Sequence, residues 1–237
     1  MKAMILSAGL GTRLGKITET VPKVLVDING KSLLRRAVEK CVESGFDDII
    51  INVHHFADMV EEEIFRLRKD GYRIEISDER DELLDTGGGL FKARHFFNRD
   101  PFLVYNADII TDFNLTELLD YHIVKGGLAT LAVRHRPGNR FLLVDRESLL
   151  CGWCNNLTGE RIIARGIDEN LSEIAFSSMH IIDPEIFNYM SDGIYSMTPL
   201  YLRLASFHKI YTLLSDSGYW FNTGTPQILD EVRNFLK

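Results

Sequence analysis

The chain has 237 residues, of which 45% are hydrophobic and 26% charged, the make-up of a globular protein of one large or two small domains. Its 27 basic residues against 34 acidic ones leave a net charge of −7, which excludes a broad nucleic-acid surface but not a small anionic ligand held by a few local cations. Three cysteines, Cys41, Cys151 and Cys154, are too few for a disulfide scaffold, and no run approaches the roughly 18 apolar residues of a membrane-spanning helix.

The opening "MKAMILSAGLGTR" is apolar for only a few residues, too short for a secretory signal, so a reducing cytoplasm is the expected compartment. Lys2 to Ser7 reads as a short buried strand, and a glycine-rich loop follows it. Leu33, Leu34, Ala37, Val38, Cys41 and Val42 share one face of a helix expected over 31–44, which Gly45 stops. Asp47–Val53 is the next strand, and Phe56, Met59, Val60, Ile64 and Leu67 mark a second amphipathic helix. Tyr72–Ile76 is a third strand, and a helix is expected after the glycines at 87–89. Pro101–Asp108 is a fourth strand, and Asn114–Gly127 another helix with Asn114 as its cap.

This alternation predicts a mostly parallel sheet with helices on both faces. From Leu128 the rhythm changes to strand-like pieces with short gaps: "LATLAV", "RFLLVD", "LLCGWC", "ERIIAR" and "EIAFSSMHII". They predict antiparallel additions and a hairpin over the sheet, followed by two short helices and a final one from Pro226. With no Pro/Ser-rich linker and no repeat, residues 1–237 read as one mixed α/β domain.

The loop "SAGLGTRLGKITETVPK" (7–23) fits neither common phosphate motif. A dinucleotide fingerprint needs Gly at position 14, which is Leu14, and a P-loop needs a hydroxyl where Ile17 stands. What remains is a strand, a glycine loop and Pro22-Lys23. Glycines let backbone N–H groups approach an anion, Arg13 can fork onto phosphate oxygens, and Lys23 can reach the same anion as a point charge. Solvated loop cations are the bland alternative.

The spacing "GLGTRL…T…PK" resembles the signature of the sugar-phosphate nucleotidyltransferases, departing from it at Lys16, where that family usually has proline. Three further stretches continue the resemblance in order: "LDTGGGLFKA" at 84–93, "NAD" at 106–108, and "WFNTGT" at 220–225, where relatives have W-x-D-x-G-T. The branch it most resembles contains the N-acetylmuramate-1-phosphate uridylyltransferases and related hexose-1-phosphate enzymes. The resemblance implies a glycosyltransferase-A-like fold, with 1–127 as a nucleotide-binding half and 128–237 as a sugar-phosphate-binding half. It implies the reaction NTP + sugar 1-phosphate → NDP-sugar + pyrophosphate, assisted by Mg²⁺, without nucleic-acid or membrane partners.

Carried onto this sequence, Arg13 neutralises the departing pyrophosphate and Lys23 sits on the α-phosphate. Ala8, Gly9, Gly11 and Thr12 cradle the phosphates, Thr86, Gly87 and Gly88 line the nucleotide pocket, and Asn106 bonds ribose or sugar. Asp108 ends an apolar strand, where ligands of open α/β sheets sit, and is the expected Mg²⁺ ligand. Its rival Asp112 reads better as a loop or cap residue. The second metal position departs from the family pattern: it is Asn222, a neutral oxygen donor, with Asp216 close enough in sequence to compensate. Asn222 is also the one feature favouring a catalytically weak nucleotide-sugar sensor. A phosphocholine cytidylyltransferase shares the N-terminal loop but not "TGGG", and a glycosyltransferase has less use for Pro22-Lys23.

Other features carry less. "CGWC" (151–154) lies in a strand-rich stretch with no second ligand pair, which disfavours zinc or redox chemistry. His54-His55 is expected to cap or pack. "EEE" (61–63) and "DERDE" (78–82) read as solvated charge, with Asp85 the best functional candidate near them. Ser177-Ser178 stands where relatives often have Ser-Gly near the sugar.

Overall fold

The computed structural model describes residues 1–167 and 169–237. Four parallel strands lie in the order Arg73–Asp78, Asp48–Val53, Lys2–Leu6, Phe102–Asn106. Their sequences are nearly unbroken apolar runs because helices cover both faces, and Ala3, Met4, Ile5, Ile50 and Ile51 are fully buried. The helix Leu33–Glu43 packs Leu34, Ala37, Val38 and Cys41 on the same core as Ile49 and Ile51. Each such buried aliphatic contributes roughly 1.5–3 kcal/mol. Ser32 caps that helix, its Oγ accepting from the Arg35 N–H at 3.1 Å. Asn114 caps Leu115–Lys125 in the same way, accepting from the Thr116 N–H at 3.0 Å.

The antiparallel additions are present. The long strand Ser172–Ile182 lies beside Phe102–Asn106, pairing Met179 with Tyr105, so it sits inside the sheet rather than at its rim. Its far side pairs with two strands in succession. Ser172 to Ile174 meets Arg140–Val144, and the remainder meets Ala129–Arg134 with a register shift between Phe176 and His180. Ser178 stands within that bulge at φ 62, in the left-handed region. Arg140–Val144, Leu150–Asn155 and Glu160–Ile163 form the antiparallel extension.

Three features depart from the sequence expectations. The glycines 87–89 lie inside the helix Asp85–Lys92 rather than ahead of it. Ile210–Leu214 is a further strand, parallel to Ala129–Arg134. Trp220–Asn222 pairs antiparallel with Ile109–Thr111 and sets Asn222 opposite Ile109, at the mouth of the sheet. The chain thus returns from residue 220 to the carboxyl end of the fourth strand. No helix among the described residues is long and apolar enough to cross a membrane.

Candidate functional site

The carboxyl ends of the first and fourth strands open on a cavity of about 460 Å³. It is bounded by the loop after Leu6, by Lys23 and Val24, by Asn106 and Asp108, and by Asp85 and Thr86 from the third helix. Sequence spacing alone separates these residues by up to a hundred positions.

The glycine loop owes its shape to two residues. Gly11 has φ +66, and a Cβ there would lie 2.9 Å from Lys23 Cβ and 3.1 Å from Thr18 Cγ2. Its carbonyl accepts from the Leu14 N–H at 2.9 Å and the Thr18 hydroxyl at 3.1 Å, closing the loop as a tight 3-10 turn over Thr12–Thr18. Gly15, at φ 55 and ψ −127, is the kink that lets this turn reverse toward Pro22. Gly9 faces open space, and among the described residues nothing accepts from the N–H groups of Ala8, Gly9 or Gly11. These donors are therefore available to an anion.

Lys23 is 8% exposed, and its Nζ donates to Asp108 Oδ2 in a tight ion pair. A buried ammonium needs such a partner, because desolvation without pairing costs several kcal/mol, on the order of the whole folding free energy. The other carboxylate oxygen, Asp108 Oδ1, is buried without a hydrogen-bond partner among the described residues. An orphaned buried oxygen of this kind is costly unless a cation or donor arrives. Asp108 is fixed by its backbone as well: its carbonyl accepts from both the N–H and the hydroxyl of Thr223, each at 2.9 Å.

Asn222 lies next to Thr223 and lines a second cavity together with Arg13, Arg134, Arg136 and Trp220. Gly224 sits between the two spaces. A Cβ there would stand 2.5 Å from Arg13 Nη2 and 2.8 Å from Asn222 Oδ1, so the missing side chain is what admits the guanidinium. Arg13 borders both cavities. Asp216 does not join them as a compensating ligand: its carboxylate accepts from the His135 backbone N–H at 2.8 Å and faces His135 Nδ1 at 2.6 Å. Asp112 is likewise engaged elsewhere, accepting from the Tyr219 N–H at 2.8 Å.

Thr86 and Asp85 reach the first cavity, but Gly87 and Gly88 do not border it. Both are buried, and their N–H groups donate to the Tyr195 carbonyl at 2.8 and 3.2 Å. A Cβ on Gly87 would strike the Tyr195 ring, and one on Gly89 would fall 2.6 Å from Glu79 Oε1. The three glycines thus serve close packing of this helix against the 193–197 segment and Glu79. The Thr86 hydroxyl joins in, accepting from the Met197 N–H at 2.9 Å.

Sequence reasoning missed the scaffold beneath the cavity. Asn52 is the next-to-last residue of the strand Asp48–Val53; its Oδ1 accepts from the Ser7 N–H at 2.7 Å, and its Nδ2 donates to Glu79 Oε1 at 2.9 Å. Glu79 Oε2 accepts from the Leu84 N–H at 3.3 Å. One buried carboxylate therefore ties the start of the glycine loop to the start of the third helix. Burial pushes the Glu79 carboxyl above the usual carboxylate range, partly offset by these donors. A polar residue inside the apolar run "DIIINV" was the available signal.

The minor features resolve simply. Cys151 and Cys154 are buried in the hairpin, and burial pushes the Cys151 thiol up to about 11, against thiolate chemistry. His54 Nδ1 lies 2.7 Å from the Glu79 carbonyl, a packing role. Glu63 is buried rather than solvated, accepting from the Ser32 hydroxyl at 2.9 Å.

The chain belongs to the nucleotidyl transferase family, whose model matches residues 2–237. It is 30% identical over 240 residues to an N-acetylmuramate alpha-1-phosphate uridylyltransferase of Caulobacter vibrioides, spanning 95% of this chain and 92% of that one. It is 42% identical over 136 residues to a mannose-1-phosphate guanylyltransferase catalytic subunit beta of Xenopus tropicalis, but there the match covers 56% of this chain and 38% of the relative. The fold is that of HddC from Yersinia pseudotuberculosis, at a TM-score of 0.80 and 19% identity over 100% of this chain and 99% of that one. The same protein has been solved complexed with GMP-PN, with an equal TM-score.

Proposed function

We propose that the chain joins a nucleoside triphosphate to a sugar 1-phosphate, releasing pyrophosphate, at the cavity between the glycine loop and Asp108. The observation that carries this reading is the meeting of Arg13, Lys23 and Asp108, distant in sequence, at the carboxyl edge of the sheet beside free loop N–H groups. A phosphate oxygen of the acceptor attacks the α-phosphorus. The bond from the α-phosphorus to the bridging oxygen breaks, and its electron pair leaves with pyrophosphate. Positioning and charge neutralisation account for most of the catalysis in such a transfer.

The N–H groups of Ala8, Gly9, Gly11 and Thr12 hold the β- and γ-phosphates. Arg13 neutralises the charge that grows on the departing pyrophosphate. Lys23 leans on the α-phosphate while Asp108 keeps its ammonium in place. Asp85, Thr86 and Asn106 line the ribose and base side.

Asp108 Oδ1, the unpartnered buried oxygen, is the donor that would take Mg²⁺, and Asn222, lining the neighbouring cavity, is the proposed neutral second donor. Among the described residues there is no group of three or more His, Cys, Asp or Glu able to hold a metal. A single carboxylate with substrate phosphates suits Mg²⁺, which would supply charge neutralisation across the reacting phosphates. The hypothesis is tested by Arg13→Ala and Lys23→Ala, each expected to lower kcat about a hundredfold or more, as loss of a transition-state charge partner does. Near-normal turnover by either variant would remove that residue from the mechanism.

A further inference from the structure

The second cavity, about 560 Å³, holds two arginines besides Arg13 that the reaction above does not use, Arg134 and Arg136. Arg134 ends the strand Ala129–Arg134, and Arg136 follows two residues later. Both guanidinium groups lie over the ring of Trp220, at 5.8 and 5.0 Å from its centroid. The indole is itself fixed, its Nε1–H donating to the Ser177 carbonyl at 3.0 Å, beside the bulge at Ser178. Arg134 Nη1 and Arg136 Nε are buried with no hydrogen-bond partner among the described residues. The remaining donors of Arg136 make two long bonds to the Pro137 and Phe176 carbonyls, each 3.4 Å.

Neither arginine has a carboxylate within ion-pair distance among the described residues. Asp216 is the acid that Arg134 feels, and it is already bound to His135; Glu231 stands on the cavity rim. Burial and the neighbouring Arg134 both depress the Arg136 guanidinium pKa, which is the sign of two like charges held together without a counter-ion. Two half-buried guanidinium groups with unused donors are a fork-shaped site for a carboxylate or phosphate.

Arg13 borders both cavities, so the second opens beside the first and offers an acceptor held there the guanidinium groups of Arg134 and Arg136. We propose that the acceptor is a sugar 1-phosphate carrying a second anionic group, carboxylate or phosphate, and that Arg134 and Arg136 bind this group against Trp220. The inference rests on the reading of the first cavity as the nucleotide site.

Its test is binding, measured by calorimetry on the full chain with Mg²⁺ and a non-hydrolysable triphosphate. The probes are glucose 1-phosphate, glucuronate 1-phosphate and glucose 1,6-bisphosphate, with N-acetylglucosamine 1-phosphate and N-acetylmuramate 1-phosphate as a second matched set. An acceptor with the second charge is expected to bind at least about tenfold tighter than its neutral match, the worth of one charge-assisted hydrogen-bonded contact. The carboxylate and phosphate arms distinguish the two anion sources. In Arg134→Gln and in Arg136→Gln, made separately so that one misfolded variant does not decide the matter, that ratio collapses to within about twofold of one.

Equal binding of neutral and charged acceptors by the unaltered protein overturns the proposal. So does a uniform loss for both in the variants, which would assign the pair to the 1-phosphate itself. Selective binding without pyrophosphate release from the true triphosphate upholds the anion site and counts against the proposed activity instead.

Discussion

Gly224 is the residue through which packing most directly sets the position of a charge in the proposed reaction. In Gly224→Ala the new methyl would lie 2.5 Å from Arg13 Nη2, 2.9 Å from Arg13 Cζ and 2.8 Å from Asn222 Oδ1. Ordinary contact begins near 3.4 Å, so the guanidinium must retreat by roughly 1 Å. Arg13 is exposed, and the atoms that yield are the far end of a flexible side chain, so global stability changes little. A 1 Å misplacement of a charge partner costs about a hundredfold in rate, or about 2.7 kcal/mol of barrier. The assay is pyrophosphate release under saturating substrates, with urea unfolding as the control for folding. The double variant with Arg13→Ala sharpens it: once the guanidinium is gone the methyl meets only Asn222 Oδ1, so Gly224→Ala costs much less in that background than it does alone. Activity of Gly224→Ala within about threefold of the unaltered protein, or losses that simply add in the double, would refute the reasoning.

Two further outcomes follow from the same structure. Asn222→Asp restores a carboxylate beside the Thr223 anchor of Asp108 and is expected to lower the Mg²⁺ concentration for half-maximal rate; an unchanged Mg²⁺ dependence, or abolished activity, would show that Asn222 is not a weakened ligand. His180 is a stability sensor: burial holds its imidazole down, to about 3 against 6.5 for a free histidine, and its Nδ1 lies 2.5 Å from the Tyr201 hydroxyl. Between those values the unfolded chain takes up a proton that the folded chain refuses, so stability is complete at neutral pH and is lost as pH falls below about 6.5. Buried His122 acts in the same direction. Urea unfolding is expected to show a loss of about 2 kcal/mol from pH 7 to pH 5, largely absent in His180→Gln, and an equal loss in that variant would move the effect elsewhere.

The parallel half of the sheet was legible because its strands are unbroken apolar runs and its helices carry amphipathic faces marked by Gly45 and Asn114, although the Ser32 cap was not. Strand order was not. Placing Ser172–Ile182 beside Phe102–Asn106 depends on which apolar faces meet in space, and "EIAFSSMHII" reads the same at an edge as inside a sheet. The residues at the site were legible one by one, as motif members, while their partners were not. Nothing local in "PK" predicts that Lys23 is buried against Asp108, 85 positions away.

The "TGGG" stretch misled for a physical reason. Glycine serves equally where a backbone approaches a ligand and where it approaches another backbone, and here Gly87 and Gly88 meet the 193–195 segment instead of the cavity. Arg134 and Arg136 were invisible as a site because two arginines two residues apart at the end of a strand are ordinary; only Trp220, brought from 84 residues beyond Arg136, makes them a pair.

The central claim is that one cavity joins a triphosphate to a sugar 1-phosphate. The most direct measurement is pyrophosphate release over a matrix of four nucleoside triphosphates and a panel of neutral and anionic sugar 1-phosphates, with Mg²⁺ present. The account predicts release that requires both substrates, matched mole for mole by a nucleoside-diphosphate sugar, and strongest for one pairing. Release that proceeds without the sugar 1-phosphate, or none from any pairing, would contradict it.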